Sequence, residues 1–458
     1  MEKINKLKKI FSKYQLDGYV IPKNDEFFGE YVHEKKDNLK FISNFSGSYG
    51  FAIIVKNHNY LFVDGRYTLQ AKKQSGKKFK IITIPNQHPS NIFKKKKLNL
   101  GFDPRLHTEK FLMYFFKNTN CKLISVNQNL VNQIWAKKKI SENYKFFKIN
   151  DKHIGQSSNS KIKILSNILK KNKLDYHFVS SSENIAWLLN IRGKDSDYAP
   201  ITNGYLVIDK FKNISFFCNL KKIDKKLKKQ LKKIKIIDIK YLDLFILNIV
   251  DENFCIDGSS CSIYFKNIIE KNNHIKNIID PIYSLKSIKN KIEIKNIINS
   301  HIYDGVALTK FLFWLKNNFK NKRITEISAQ NKLLQFRKKN KTFKSLSFPT
   351  ISSTGPNAAI IHYKATKESD RVLKKGEIYL VDSGGQYEFG TTDVTRTISL
   401  GNKQKRIKDI FTRVLKGHIA VTNYKLNKNS DGSKIDVVAR KYLKEIKFDY
   451  PHGTGHGV

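Results

Sequence analysis

Acidic residues and arginine are both scarce in this chain of 458 residues. Lys and Arg number 86 against 39 Asp and Glu, the formal net charge is +47, and only 10 of the basic residues are Arg. Nucleic-acid sites favour the planar Arg side chain and interleave it with aromatic residues that stack on bases. The lysines here are spread among Asn and Ile along the chain. We therefore expect solvated lysine faces, no specific nucleic-acid partner, and weak binding to polyanions that is lost in salt.

Cysteine and long apolar segments are also scarce. The four cysteines, Cys121, Cys218, Cys255 and Cys261, show no CxxC or other zinc spacing, which is typical of reduced core thiols in a reducing compartment. The N-terminus lacks the uninterrupted apolar core of a signal peptide. The longest apolar runs, FLFWL and LDLFILNIV, are far shorter than the roughly 20 residues that cross a bilayer. We expect a cytoplasmic protein without a membrane partner.

The apolar residues that are present, 40% of the chain, suffice for about three domains at roughly 100 to 200 residues each. Short apolar runs alternate with polar turns and amphipathic stretches in residues 1–150, and the same texture returns in residues 151–280. This predicts two α/β domains of the same kind. Residues 281–458 open with a long amphipathic helical pattern and a second helix whose N-cap is Thr325, before strands and glycine-rich turns take over.

A lysine-rich segment, KKIDKKLKKQLKKIKI, covers residues 221–236 and could be mistaken for a nucleic-acid-binding arm. Ile223, Leu227, Leu231 and Ile234 recur within it at helical spacing. The pattern instead predicts a surface helix with a solvated basic face.

Two carboxylates flank a predicted hairpin in YLVDSGGQYEFGTTDVTRTISLG, which begins at Tyr379. If the hairpin is centred between Tyr387 and Glu388, Asp382 and Asp393 lie directly opposite, with Cβ atoms about 4.5 to 5.5 Å apart. Carboxylates this close repel each other unless a cation lies between them, and a pair of hard divalent ions would satisfy both. The pattern indicates a two-metal hydrolytic centre. An ordinary polar hairpin whose Asp side chains cap turns is the alternative.

Three histidines accompany this hairpin. His452 and His456 lie in HGTGHG, where the glycines favour a loop or strand over a helix. His362 ends the apolar segment AAIIHY, which predicts a strand-end histidine, or a neutral hydrogen-bond donor that faces the site. A pair of histidines in a glycine frame, downstream of two paired aspartates, favours the functional interpretation over that of ordinary core residues.

The segments LSFPTISSTGPNAAIIHY, YLVDSGGQYEFGTTDVTRTISLG, VLKGHIAV and HGTGHGV closely resemble the Xaa-Pro aminopeptidases, the aminopeptidase P group of the pita-bread metallopeptidases. The resemblance extends to FISNFSGSYGFAIIV, LFVDGRYTLQA, ENIAWLLNIRG and PIYSLKSIKNKIEI, and so covers nearly the whole of the long, three-domain form. It implies an α/β chain with an α+β catalytic part. We expect creatinase-like domains over residues 1–150 and 151–280 and a pita-bread metallopeptidase domain over residues 281–458.

The resemblance also implies an activity, which is release of the N-terminal residue from peptides whose second residue is proline. It implies a homodimer with two divalent metal ions, manganese in this family. Asp382 is similar to the ligand of one metal ion, Asp393 to the residue that bridges both, and His456 to a histidine that completes one shell and contacts substrate.

The remaining site residues are also implied by the resemblance. His362 is similar to the catalytic histidine that contacts substrate and stabilises the tetrahedral intermediate. His452 is similar to a supporting catalytic histidine, and Arg66 to a residue of the first domain that is associated with peptide binding.

The family also uses two glutamates as metal ligands, one of them the general base, after the HGTGHGV segment. We expect the native reading frame to continue past Val458 and supply them, so that this chain is a fragment incomplete for activity with apolar surface exposed on its third domain. A dipeptide-specific prolidase is disfavoured by the three-domain length. The alternative from another class is an inactive pita-bread module that binds peptides or polyanions, against which the retained aspartates and histidines argue.

Overall fold

The computed structural model describes residues 2–136, 144–401 and 404–457. The chain divides into two compact units. One comprises Met1–Val63 and Thr68–Asn299, and the other comprises Asp64–Tyr67 and Ser300–Val458. The four-residue segment Asp64–Tyr67 therefore belongs with the C-terminal part of the chain.

A six-stranded sheet forms the first half of the N-terminal unit, in the order β4-β3-β2-β1-β5-β6. Every residue of β1 and β2 is buried, as expected for apolar runs in a sheet covered on both faces. β1 pairs antiparallel with β2 and parallel with β5, which pairs parallel with β6. The elements are β1 (Gly18–Pro22), β2 (Phe51–Val55), β3 (Asn59–Asp64), β4 (Lys80–Ile84), β5 (Asn99–Phe102), β6 (Lys122–Ser125), α1 (Glu2–Ile10), α2 (Asn38–Ser43), α3 (Thr68–Ser75), α4 (Pro89–Phe93), α5 (Glu109–Phe116) and α6 (Leu130–Ile134).

A second six-stranded sheet repeats this arrangement, in the order β12-β11-β10-β8-β13-β14. β8 pairs antiparallel with β10 and parallel with β13, as β1 does with β2 and β5. The elements are β7 (Phe147–Lys148), β8 (Tyr176–Val179), β9 (Ile191–Arg192), β10 (Tyr205–Asp209), β11 (Ile214–Cys218), β12 (Lys235–Asp238), β13 (Asn253–Ile256), β14 (His274–Asn277), α7 (Ser158–Lys171), α8 (Ser182–Leu189), α9 (Lys225–Gln230), α10 (Leu242–Leu247), α11 (Ile263–Glu270) and α12 (Pro281–Ser287). β7 and β9 form a separate two-stranded sheet.

The same turn ends the fifth strand of each sheet. Asp103 follows β5 and accepts the backbone N–H of Arg105, and Asp257 follows β13 and accepts the backbone N–H of Ser259. In the first sheet Asn129 donates to the second carboxylate oxygen of Asp103 at 2.9 Å. In the second sheet the backbone N–H of Asp280 donates to the second oxygen of Asp257 at 3.0 Å. The repeat expected from sequence texture is thus present in strand order and in turn chemistry.

The lysine-rich segment forms a shorter helix than predicted. Only Lys225–Gln230 are α-helical, and β12 begins at Lys235 and pairs parallel with β11. Leu227 and Leu231 are buried, so the apolar face was identified correctly. The prediction of a helix up to residue 236 was wrong because the β-branched residues that follow complete the edge of the sheet. All four cysteines are free thiols, and three of them are buried.

Long helices and short strands form residues 291–444. α13 (Lys291–Asn318) is the predicted long helix, and the Thr325 side chain caps α14 (Glu326–Lys338) as expected. β16 (Ile351–Thr354), β17 (Ile378–Ser383) and β19 (Val394–Ser399) form one sheet, while β15 (Phe343–Leu346) pairs with β18 (Gly385–Tyr387). α15 (Lys405–Thr422) and α16 (Gly432–Lys444) follow. Within the described ranges, no helix is both long and apolar enough to cross a membrane.

Candidate metal centre

Asp382 and Asp393 lie near each other but not directly opposite. Asp382 pairs with Thr395 across β17 and β19, and Asp393 precedes β19, two residues from the predicted position. The prediction was wrong because the chain leaves β17 at Gly384 and forms β18 before it returns. A Cβ atom at Gly384 would lie 1.8 Å from the carbonyl oxygen of Thr392, so only glycine fits there. An offset of two residues keeps both carboxylates on one face of the strands.

Asp382 is a carboxylate with unsatisfied acceptor capacity. Its Oδ1 is buried and has no hydrogen-bond partner among the described residues. Burial raises the pKa of Asp382, and the neighbouring charge of Asp393 raises it further, whereas a hydrogen bond with Thr395 and the charge of His456 lower it. A buried acid of this kind is further stabilised in its charged form when a cation approaches. The environment of Asp382 therefore fits a metal ligand.

His456 faces the second carboxylate. Its Nε2 lies 3.7 Å from Asp393 Oδ2, and its Nδ1 lies 2.8 Å from the carbonyl oxygen of Gly457. The imidazole is 74% exposed, against 27% for the Asp393 side chain. Within the described ranges, no three His, Cys, Asp or Glu side chains lie close enough together to hold a metal ion. Asp393 therefore forms one close pair with Asp382 and another with His456. These three side chains provide part of a metal-ligand shell.

The loop that carries His452 and His456 is attached to α16 through Arg440. The Arg440 guanidinium donates to Asp436 at 2.7 Å, to Asp449 at 2.6 Å, and to the backbone carbonyls of Tyr450 and His452. It also lies over the Tyr450 ring, 3.9 Å from the centroid. One side chain thus fixes the backbone at which the glycine-rich segment begins. This segment is a loop, as the glycines predicted.

His362 is held in a turn and not at a strand end. It follows a 3-10 helix over Gly355–Ala359 and has a φ of 57°, in the left-handed region. The strand prediction was wrong because Pro356 starts that short helix and removes a ladder N–H. His362 Nδ1 lies 2.6 Å from the Tyr67 hydroxyl. Burial, with the Arg66 charge as the next cause, lowers the pKa of His362 to about 4, so its imidazole is neutral near pH 7.

Arg66 lies in the segment that belongs with the C-terminal unit. It makes a two-pronged ion pair with Asp64, with Nη2 2.6 Å from Oδ2, and its guanidinium lies 5.3 Å from the centroid of the Tyr67 ring. The pKa of His362 responds to the charges of Arg66, His452 and His456. The six predicted site residues therefore belong to one neighbourhood of the C-terminal unit. Their roles in binding and catalysis stay predictions.

Glu326 is a supporting residue that the sequence analysis did not identify. It is fully buried and accepts hydrogen bonds from the Thr354 backbone N–H, the Asn357 side chain, the Tyr363 hydroxyl and the Arg371 backbone N–H, at 2.7 to 3.2 Å. These donors flank the turn that carries His362. The only sequence signal was its place after the N-cap of α14, which explains a helix start but not the network.

A buried ion pair supports the hairpin in the same way. Arg337 donates through Nε and Nη2 to both carboxylate oxygens of Asp304, at 2.7 and 2.9 Å, and Nη2 also donates to Ser383, beside Asp382. The Tyr387 hydroxyl donates to Asp304 at 2.8 Å. Arg337 and Asp304 are both fully buried. The pair therefore connects α13 and α14 to both β17 and β18.

Comparisons with known proteins match this arrangement of domains. Metallopeptidase family M24 matches residues 295–458, and two descriptions of the creatinase/prolidase N-terminal domain match residues 3–134 and 136–293. The fold and the site thus define a chain with two creatinase-like α/β domains followed by a pita-bread metallopeptidase domain.

Individual proteins are similar over the whole chain. Xaa-Pro aminopeptidase 1 of Dictyostelium discoideum is 36% identical, with 100% of this chain and 76% of that protein covered. The probable Xaa-Pro aminopeptidase P of Laccaria bicolor is also 36% identical, over 100% and 74%. The crystal structure of X-prolyl aminopeptidase from Caenorhabditis elegans, described as a cytosolic enzyme with a di-nuclear active site, superimposes with a TM-score of 0.94 at 29% identity, over 100% and 79%. This chain belongs to the Xaa-Pro aminopeptidase family.

Proposed function

We propose that this protein is a metal-dependent aminopeptidase that hydrolyses the bond between an N-terminal residue and a following proline in peptides. The observation that carries the proposal is the buried Asp382 oxygen, which has no hydrogen-bond partner among the described residues. Asp382 lies beside Asp393, and the charge of His456 lowers its pKa. The names of the similar proteins support the choice of substrate.

The proposal includes two divalent metal ions, manganese by the family resemblance. Asp382, Asp393 and His456 would hold them, and the di-nuclear site described for the Caenorhabditis elegans protein supports the number. When bound, such ions polarise the peptide carbonyl and lower the pKa of the attacking water. The proposal also includes two glutamate ligands, one of them the general base, since three protein ligands leave the shell of two ions open.

His362 would stabilise the negative charge that develops on the carbonyl oxygen. Its ring is neutral near pH 7, and in the tautomer in which the Tyr67 hydroxyl donates to Nδ1 the proton is on Nε2. The Nε2–H group is then a fixed donor for an oxyanion. Arg66, oriented by Asp64, would attract a carbonyl or the carboxylate of the peptide, and His452 would line the site beside His456.

Proline in the second position explains why a dedicated site is needed. The bond that precedes proline has no N–H, and the ring fixes φ near −65°. A peptidase that recognises an extended backbone through this N–H loses that contact. The substrate must therefore be oriented by its free amino terminus, by the carbonyl and by a surface that accommodates the ring.

The test measures manganese binding and hydrolysis separately. We expect Mn²⁺ to bind the wild-type protein, and Asp393→Asn to weaken binding at least about tenfold because the shared carboxylate loses its charge. In a protein that includes the two proposed glutamate ligands, release of Arg from an Arg-Pro-Pro peptide should require Mn²⁺ and be lost in Asp393→Asn. Asp224→Asn, which keeps the cap of α9, is the matched control and should change neither.

The alternative function, an inactive module that binds peptides, predicts the opposite result. If the peptide binds equally to wild-type and Asp393→Asn protein, with or without Mn²⁺, and is never cleaved, the module is the better description and the peptidase proposal fails. Peptide binding that strengthens with Mn²⁺ supports the proposal even before hydrolysis is measured.

The proposal extends to assembly and location. We propose a homodimer in the cytoplasm, supported by the family resemblance and, for the location, by the description of the Caenorhabditis elegans enzyme as cytosolic. Light scattering of the purified protein should give twice the chain mass of 53.3 kDa. A mass of 53.3 kDa at micromolar concentration would contradict the homodimer.

A further inference from the structure

A cavity of about 420 Å³, lined mainly by residues of polar types, lies in the first α/β domain, where neither the proposed peptidase site nor the family resemblance assigns a role. Its lining includes Asp25, which follows β1, Asp103, which follows β5, and Asn129, which follows β6. These are the carboxyl ends of three neighbouring strands that run parallel. β1 is also the strand at which the sheet changes from parallel to antiparallel pairing. Ligands of open α/β sheets bind at such edges.

Asp25 is the residue that suggests a ligand. Its side chain is 9% exposed, and one oxygen accepts the backbone N–H of Phe27 at 3.0 Å. Its own backbone N–H also contributes a hydrogen bond, and among the described residues no cation lies within ion-pair distance of its carboxylate. Burial, with the charge of Glu26 as the next cause, raises the pKa of Asp25 to about 6. An acid kept out of water without a partner is costly unless a cation joins it.

The other acids of the cavity already have partners. Glu26 forms an ion pair with Lys36 at 2.6 Å, and both oxygens of Asp103 accept hydrogen bonds, from Arg105 and Asn129. Among the three acids of the lining, in the part of the chain that the structure describes, Asp25 therefore has the least compensated charge, since the charge of Lys36 only partly offsets the rise of its pKa.

The cavity walls are fixed from several sides. Tyr205 of the second α/β domain donates its hydroxyl to the Glu26 carbonyl at 2.8 Å and stacks on Phe27. A buried ion pair between Lys23 and Asp37 connects the end of β1 to the start of α2. Site geometry that is set before a ligand arrives reduces the entropy lost on binding.

Basic residues also line the cavity. Lys35 and Arg105 both line the cavity, and the Arg105 guanidinium lies 3.3 Å from the centroid of the Tyr264 ring. A lining that contains both an acid and bases complements a molecule with an ammonium group and a carboxylate. A volume of about 420 Å³ has room for a free amino acid or a dipeptide.

We propose that this cavity binds a small zwitterion of amino acid or dipeptide size, with its ammonium group on Asp25 and its carboxylate toward Arg105. The inference is independent of the proposed peptidase activity and of its metal ions.

Isothermal titration of the full chain with glycylglycine tests the proposal without any proline-containing substrate. We expect glycylglycine to bind, N-acetyl-glycylglycine to lose binding because it lacks the ammonium group, and glycylglycinamide to bind more weakly. Asp25→Asn should weaken glycylglycine binding at least about tenfold, since a charge-assisted hydrogen bond is lost. Failure of wild-type protein to bind at tens of millimolar would overturn the proposal.

Two controls separate this cavity from the candidate metal centre and from simple misfolding. Asp209 is also 9% exposed, but its carboxylate accepts from Phe211 and Asn213, so Asp209→Asn should leave dipeptide binding unchanged. Asp393→Asn should also leave it unchanged. Dipeptide binding that is lost in Asp393→Asn and retained in Asp25→Asn would place the ligand at the metal centre and overturn the proposal.

A second variant keeps the proposal testable if Asp25→Asn does not fold. Asn132 lines the cavity from an exposed position on α6, so Asn132→Phe should narrow the cavity without disturbing the core. We expect reduced glycylglycine affinity with an unchanged melting temperature. Undiminished affinity would contradict the assignment.

Discussion

At the scale of single residues, Arg440 determines the geometry of the loop that carries both C-terminal histidines. It contacts the backbone of His452 and two acidic side chains, while His456, the proposed ligand, lies four residues further along. Arg440 is thus a positioning residue, and its effect should appear in metal affinity more than in global stability.

The variant Arg440→Met should lower Mn²⁺ affinity about tenfold or more, the usual range when a residue that orients a ligand is lost. Titration calorimetry and the imidazole NMR signals of His452 and His456 measure the effect. Arg413 is a matched control, since it bridges Asp409, Glu445 and the Tyr442 carbonyl in the same helix pair without contacting the loop. Equal losses of affinity in Arg413→Met and Arg440→Met would show that Arg440 acts only through stability.

The residue types near the site were more predictable than their supports. Asp382, Asp393, His452 and His456 stand out because two carboxylates flank one predicted hairpin and a histidine pair in a glycine frame follows it, and His362 because it ends an apolar segment. Their supporting residues, Glu326 and Arg440, occupy helices and resemble the many charged residues around them. The Glu326 carboxylate contacts a turn that is distant in sequence, and this contact arises only in the folded protein. No local sequence pattern therefore identifies Glu326.

At the scale of elements, the buried pair of Arg337 and Asp304 connects two helices to the hairpin of Asp382. Removing one member leaves the other charge buried without a partner. Arg337→Met should therefore lower the free energy of unfolding by about 3 to 5 kcal/mol, measured by urea denaturation.

The exposed pair of Lys344 and Glu388 provides the comparison in the same region of the chain, at 2.6 Å but with side chains 53% and 42% exposed. Lys344→Met should cost at most about 1 kcal/mol, because solvent screens the pair. A cost for Arg337→Met as small as that for Lys344→Met would show that the buried pair is not required for the hairpin.

The types of the secondary-structure elements were predicted from the sequence more accurately than their positions and register. The long helix α13 and the cap of α14 were predicted because amphipathic spacing and capping are local properties. The register of β17 and β19 was missed by two residues because β18 leaves the hairpin to pair with β15, which lies about 40 residues earlier. Pairing between distant segments cannot be read from the hairpin alone.

At the scale of the whole molecule, the net charge of +47 is the dominant surface property. We expect binding to DNA duplexes of unrelated sequence to be equal at low salt. The affinity should fall about a thousandfold or more between about 50 and 200 mM salt if six or more phosphates are contacted. Fluorescence anisotropy with two duplexes measures both effects. A strong preference for one sequence that persists in salt would contradict the assignment of the lysines to solvation.

The two sheets share one strand order and one aspartate turn, yet they use the carboxyl ends of their central strands differently. In the second sheet Asp280 occupies this edge, where Asn184 donates to it at 2.7 Å and His177 Nε2 lies 3.5 Å away. In the first sheet the same edge leaves an open cavity beside Asp25. The two sheets therefore differ at this edge, which Asp280 occupies in the second sheet and which stays open beside Asp25 in the first.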